Sequence, residues 1–171
     1  MPCGDAMITE VISARPDQTI AEVLDLFDTH HIRAVPVLDE GRRVVGKISF
    51  TEVLQAVLPV PVTLEGGLRR LPSMDISLAY ISGASPWVAK RLHEIVSRKV
   101  SSLMVKKPKT VHSDTPSREG VRLLVKYGSP LIVVDPKDGT LTGLITSQTA
   151  IKRFLELEHA ITEQEKQQKS A

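Results

Sequence analysis

The sequence has a single cysteine in 171 residues, which leaves no internal disulfide and no cysteine-cluster zinc site. Aromatic residues make up 4%, too few for a base-stacking surface. With 22 basic against 20 acidic residues the net charge is +2, too weak a field to draw nucleic acid. No apolar run reaches the roughly 18 to 20 residues that span a bilayer, and the longest, 53–62, is broken by Gln55, Pro59 and Pro61. The opening MPCGDAMITE has neither a basic leader nor an apolar signal core, so secretion is not expected. Together these absences lead us to expect a cytoplasmic chain, by itself or as the cytoplasmic domain of a larger membrane protein.

What is present is an internal repeat. Hydrophobic residues at 42% and charged residues at 25% are ordinary for a globular fold. Met7 and Met104 stand 97 positions apart, and the same displacement carries Asp17 onto Asp114, Gly46 onto Gly143 and Ser49 onto Thr146. Asp39 and Asp135 are 96 apart, so the copies differ by one residue before this aspartate and one in the turn after it, where chains tolerate change.

In the first copy Ile20, Val23, Leu24 and Phe27 follow helical spacing behind a Thr19–Glu22 capping box. AVPVL reads as a short buried strand, EGR as a tight turn and RVVGKIS as the antiparallel partner. Val53, Leu54, Val57 and Leu58 form the stripe of a second helix. With a short extended piece at 10–14 the unit is β-α-β-β-α. In the second copy Thr115 before Pro116 starts a helix striped by Val121, Leu124 and Val125. PLIVVD and TLTGLIT make a hairpin around PKDG, and Ile151, Phe154 and Leu155 line the last helix.

Each unit of about 50 to 60 residues is small for an independent core, so the expected fold is α+β, two pseudo-symmetric units packed sheet to sheet with a partly helical linker insertion. The boundaries are 1–58 for the first motif, 59–99 for the linker, 100–158 for the second motif and 159–171 for a polar tail that frays after His159. Within the linker, 59–85 is rich in proline, glycine and serine and reads as loop or short helical turns. Trp87, Val88, Leu92, Ile95 and Val96, with the Arg91 stem, mark an amphipathic helix at 87–100 that packs on its own domain or on a partner.

AVPVLD followed by GKISFTE, and LIVVD followed by GLITSQT, on such a doubled unit resemble a tandem pair of CBS domains, the regulatory Bateman module. The likeness covers about 10–57 and 108–155, with the leading AM and LM. It implies clefts that bind adenine nucleotides or related adenosyl compounds such as S-adenosylmethionine as regulatory ligands, with no cofactor required. In the family pattern G-h-x-[ST]-x-x-D the hydroxyl meets phosphate and the aspartate meets the ribose hydroxyls. Ser49 with Glu52, and Thr146 with Thr149, stand at those places, and neither copy keeps the aspartate. The resemblance implies a first, preferred cleft of Arg33, Ser49 and Glu52 with Met104, Lys109, Gly128 and Pro130. The second, weaker one joins Ser129, Thr146 and Thr149 to Met7, Ile12, Ile32 and Ala34. Arg33 stands where some family members place a phosphate-binding basic residue; Ser129 brings no such charge. Lys109, at a position usually apolar or small, either obstructs an adenine or adds a phosphate contact.

The spacing has a physical reason. A hydroxyl at a helix start sits beside free backbone N–H groups and the positive end of the helix dipole, and a carboxylate one turn on can accept two hydrogen bonds from a diol. Bonds to a charged group contribute about 1.5 to 3 kcal/mol, so losing that carboxylate weakens a ribosyl ligand roughly 10- to 100-fold. The same residues admit a second reading: Ser49-x-x-Glu52 is a capping box that needs no ligand, and Thr146 is an adequate cap alone.

Other residues carry less. His30 and His31 are adjacent and point about 100° apart on a helix, which suits a helix end better than a metal. His93 and His112 have no evident partner, and Cys3 is expected to be incidental near a disordered start. LEGG lacks the lysine and serine of a P-loop. With no nucleophile, base and orienter and no metal-ligand spacing, the chain is not expected to be an enzyme. The expected function is a ligand-sensing regulatory module that transmits a conformational change to a partner protein or a fused membrane or enzyme domain. The alternative is a ligand-free dimerisation or interaction module. A homodimer is expected through the helices after each motif, along Val53, Leu54 and Val57 and along Ile151, Phe154 and Leu155.

Overall fold

The computed structural model describes residues 1–57 and 86–169. They fall into two compact units: 13–37 with 45–57 and 86–106, built on the first repeat, and 1–12 with 38–44 and 107–169, built on the second. The proline-, glycine- and serine-rich stretch 59–85, expected to be loop or short helical turns, lies outside the described residues with Leu58 and the LEGG sequence, as do the side chains of Trp87 and Val88.

In the first unit α1 (Ile20–His30) opens on the expected box, with the Thr19 side chain accepting from the Glu22 N–H and the Glu22 carboxylate accepting from the Thr19 N–H at 2.6 Å. It buries Ile20, Val23 and Phe27 at helical spacing and ends on His31 in the left-handed conformation. Strand β1 (Ala34–Leu38) is buried along its whole length, and β2 (Val44–Ser49) is its neighbour in the sheet. Helix α2 (Phe50–Val57) follows at once, and its first residue meets Phe27 edge to face with ring centroids 4.8 Å apart. Helix α3 (Pro86–Val96) packs on α2 and α1, burying Ile95 and donating from Arg91 Nε to the Ala56 carbonyl at 3.2 Å. The linker helix thus lies on its own unit. It stops at Val96 rather than at 100 because Lys99 is extended, forming a bridge with Thr19, and the Arg98 carbonyl accepts from the Ile20 N–H at 2.9 Å.

A two-residue strand β3 (Val105–Lys106) completes the first sheet, antiparallel to β2 with Gly46 opposite Lys106 and Lys47 opposite Val105. In the second unit β4 (Thr110–Val111) runs parallel to β5 (Leu131–Val134), which pairs antiparallel with β6 (Leu141–Ile145). Between them α4 (Ser117–Tyr127) presents Gly120, Leu123 and Leu124 to the core, and α5 (Ser147–Lys169) follows β6. The α+β class and the doubled unit are as expected, with two three-stranded sheets.

The segment leading each copy is built into the unit of the other. Cys3 N–H donates to the Thr115 carbonyl and Gly4 N–H to that of Ser113; Val100 N–H donates to Gln18 and Ser101 N–H to Pro16. Ile8 bridges Leu144 as Val105 pairs with Lys47. Every one of these residues is 97 positions from its counterpart. Backbone groups of a leading segment need partners as much as those of a strand do, and each leader finds them on the unit of the other repeat.

Several local expectations change. The extended piece at 10–14 reduces to one bridge, Ala14 with Val37. Thr115 does not cap α4; its hydroxyl accepts from the His112 N–H at 3.0 Å, closing the turn before Pro116. On α4 Val125 is 83% exposed, so the core stripe runs one residue earlier than the pattern suggested. The tail continues as helix to Lys169 instead of fraying at His159. It contains neither glycine nor proline and is made largely of good helix formers. Cys3 is 2% exposed, a core residue beside Val111, Leu123 and Ile145 rather than an incidental one. Burial raises its thiol pKa, a backbone hydrogen bond opposing.

Candidate functional site

The repeated glycine has a close neighbour in each unit. A Cβ placed on Gly46 would stand 2.5 Å from the Met104 sulfur and 3.1 Å from the Val105 carbonyl oxygen. One placed on Gly143 would stand 2.5 Å from the Met7 sulfur and 2.5 Å from the Ile8 carbonyl oxygen. Real Cβ atoms do not come within 3.0 Å of such neighbours, so the approaches of 2.5 Å make glycine provide the room for the leader strand to lie against the sheet. Met104 and Met7 are thereby seated on glycines that stand three residues before Ser49, the last residue of β2, and Thr146, the residue after β6.

At the first half-site Ser49 ends β2 and α2 begins at the next residue. The Ser49 N–H donates to Glu52 Oε2 at 2.7 Å, the Ser49 hydroxyl donates to the same oxygen, and the Thr51 N–H donates to Ser49 Oγ at 3.2 Å. The carboxylate is folded back on the helix start, and Oε1 takes no part in the cap. The Arg33 carbonyl accepts from the Phe50 N–H at 3.2 Å. Its exposed side chain lines a groove of about 430 Å³ with Leu24, Phe27, Asp28, His31, Ile32 and Phe50. Ser49 and Glu52 do not line that groove.

The second half-site is closed more completely. Thr146 N–H donates to Thr149 Oγ1 at 3.0 Å, Thr149 N–H donates to Thr146 Oγ1 at 3.1 Å, and the Thr149 hydroxyl donates to the Thr146 carbonyl at 3.1 Å. This is a reciprocal box with threonine in the place of the acid, a possibility missed when Thr146 was read as a cap alone. Ser129 Oγ accepts from the Ser147 N–H at 3.3 Å, the helix-start position that the Arg33 carbonyl serves in the first unit.

The structure therefore gathers Ser49, Glu52 and Met104, with the Arg33 backbone, in the first unit, and Met7, Ser129, Thr146 and Thr149 in the second. Met7 and Thr149 line one pocket of about 220 Å³. Ile12 is half-buried in the second unit. Lys109, Gly128 and Pro130 belong to the second unit, and Ile32 and Ala34 to the first. Lys109 and Gly128 are exposed, while Pro130 and Ala34 are buried. Lys152 and Arg153, which also line the Met7 pocket, were not read from the sequence; their only signal is their spacing of three and four residues from Thr149. Among the described residues no three His, Cys, Asp or Glu side chains gather into a potential metal site, and no helix is long and apolar enough to cross a membrane.

A doubled α+β unit with a hydroxyl at the helix start and a methionine seated on the preceding glycine is what fold and geometry define. The model of the CBS domain matches residues 3–59 and 100–156, and the chain belongs to the CBS-domain family. It is 25% identical over 146 residues to the chloroplastic CBS domain-containing protein CBSX1 of Arabidopsis thaliana, with 85% of this chain aligned. It spans 60% of the length of that relative. Among solved structures, the CBS-pair protein CBSX2 from Arabidopsis thaliana superposes with a TM-score of 0.69 at 21% identity, over 92% of this chain and 96% of that one. CBSX2 is also solved in complex with AMP, with a TM-score of 0.66 at 21% identity over 92% of this chain and 98% of that one. The CBS domain pair of protein MJ0100, in complex with 5′-methylthioadenosine and S-adenosyl-L-methionine, gives a TM-score of 0.61 at 20% identity over 92% of this chain and 98% of that one.

Proposed function

We propose that the chain is a regulatory, non-catalytic module that binds an adenosyl or other nucleotide ligand at its hydroxyl-bearing helix starts and passes a conformational change to a partner protein or a fused domain. The observation that carries this reading is the half-site built twice, with Met104 on Gly46 ahead of Ser49 and Met7 on Gly143 ahead of Thr146. The AMP held by CBSX2 and the adenosyl compounds held by the MJ0100 pair support the ligand class. A phosphate arriving at Ser49 would exchange with Glu52 as partner of the hydroxyl and the helix N–H groups, freeing the carboxylate for a diol. Coupling between ligand and partner then requires that the ligand prefer one arrangement of the module over another. A homodimer through the exposed helix faces, and a cytoplasmic setting, complete the proposal.

Isothermal titration with AMP, ATP, S-adenosylmethionine and cyclic dinucleotides tests it, on the wild type and on Arg33→Ala. Binding that weakens in the variant supports a sensor using the first half-site with its basic neighbour. A second reading, a ligand-free dimerisation module, is favoured by the closed Thr146–Thr149 box; absence of heat and of thermal shift with every ligand would establish it in place of the first.

A further inference from the structure

The groove at Arg33 in the first unit and a groove between α4 and α5 in the second are one feature built twice. Leu24, Phe27, Asp28 and Phe50 line the first, and 97 positions on Val121, Leu124, Val125 and Ser147 line the second. The two copies have diverged in charge. Exposed Asp28, His31 and Arg33 stand in the first groove, and their counterparts in the second repeat are Val125, Gly128 and Pro130. Ser129 and Ser147 replace Ile32 and Phe50 without adding charge, and no charged residue lines the second groove.

This difference decides which face can meet a second copy of the chain. A two-fold contact sets each residue near its axis against its own copy. For the first groove that brings Asp28 towards Asp28 or Arg33 towards Arg33, and neither has an ion-pair partner among the described residues to offset the repulsion. Laying the first groove on the second instead buries the same charges against Val125 and Ile151, which offer them no partner. The second groove laid on itself meets neither cost. Val125 is 83% exposed and Ile151 59%, with Phe154 and Leu155 beside them on α5, an apolar patch of the kind that marks an interaction surface. Ile161, 57% exposed and seven residues on from Phe154, carries the stripe past residue 156, where the match to the family ends.

We propose that the chain pairs with a second copy through the α4–α5 face of the second unit alone, and that the charged groove of the first unit stays outside the contact. The α2 stripe of Val53, Leu54 and Val57 then has no part in the dimer. The inference rests on the homodimer reading and narrows it to one of the two repeats.

Sedimentation velocity over a concentration series tests it on the wild type, Val125→Asp and Leu54→Lys. Val125→Asp places the first repeat's residue in the second groove and should weaken the dimer at least about tenfold, since it sets like charges against each other. Ile151→Lys repeats the test from the facing helix. Leu54→Lys stands at the repeat position of Ile151 with similar exposure, 62%, and should leave dimerisation within about twofold, as a solvent-facing substitution does. All three positions are exposed, and a urea midpoint for each variant close to that of the wild type separates lost pairing from lost folding. A dimer that survives both Val125→Asp and Ile151→Lys, or one that Leu54→Lys dissociates, would overturn the inference and leave the homodimer reading in place. A wild type that is monomeric throughout removes both.

Discussion

The Met104 sulfur lies so close to Gly46 that a Cβ on the glycine would stand 2.5 Å from it. Met7 stands in the same relation to Gly143, with the Ile8 carbonyl oxygen equally near. The glycine of each repeat is therefore a packing requirement, and the two sites differ in what would have to move.

Alanine at either glycine should destabilise the protein by about 1 to 3 kcal/mol, the usual range for overpacking. Gly143→Ala should cost more, because a backbone carbonyl cannot swing aside as a methionine side chain can. Urea denaturation checks the order. Met104→Ala should recover part of the loss in Gly46→Ala; strictly additive effects would show that this contact does not set the glycine.

The reciprocal Thr146–Thr149 box predicts coupling between its members. Thr146→Ala and Thr149→Ala should each cost about 1 kcal/mol, and the double variant less than their sum, since one change already breaks the pair. Thr149→Glu should retain most of the stability by closing the box as Glu52 does for Ser49. Chemical denaturation of the four proteins tests this, and full additivity would argue against a shared cap.

Cys3 sits in the core of the second unit with its thiol pKa raised by burial. Thiol reagents should modify it slowly in the native protein and rapidly in urea. A raised pKa means the folded state favours the thiol form. The stability this contributes is present below the unfolded pKa and is lost as pH rises through the folded value. The native rate should therefore rise with pH later than that of a free cysteine; fast modification at neutral pH would place Cys3 at the surface.

Val125 is 83% exposed, Ile151 59% and Leu155 54%, on α4 and α5 of one unit. A groove of about 250 Å³ between these helices is lined by Val121, Leu124, Val125, Ala150, Ile151 and Phe154 among others. If this face pairs with a second copy, light scattering should give a dimer for the wild type and a monomer for Ile151→Lys, with the thermal melt of each unit little changed. A wild type that is monomeric at all concentrations would refute the homodimer.

Local chemistry was legible where residues close in sequence satisfy one another. Thr19 with Glu22 and Ser49 with Glu52 cap their helices as the spacing indicates, because a capping box is closed within four residues. The left-handed His31 and the turn at Arg42 likewise close on near neighbours. Val125 was misread because an apolar residue at helical spacing carries no mark of whether its face meets a core or solvent. Arg153 escaped notice because charge on a helix is usually solvated, and its place in one pocket with Ala6 and Met7 joins segments far apart in the chain.

The sequence by itself determined the doubled unit, its α+β class, the helix starts and the glycine before each hydroxyl, since all of these follow from short-range spacing and from one displacement along the chain. The family resemblance set Met104 with Ser49 and Met7 with Thr146, but apart from that likeness only the tertiary structure decided where the leaders go. Residues 1–12 are built into the unit of the second repeat and 100–106 into that of the first. The two leaders have similar patterns and the two units offer similar edges, so local physics ranks the direct and exchanged pairings nearly alike. The choice lies in how the connected chain closes, which no window of sequence contains.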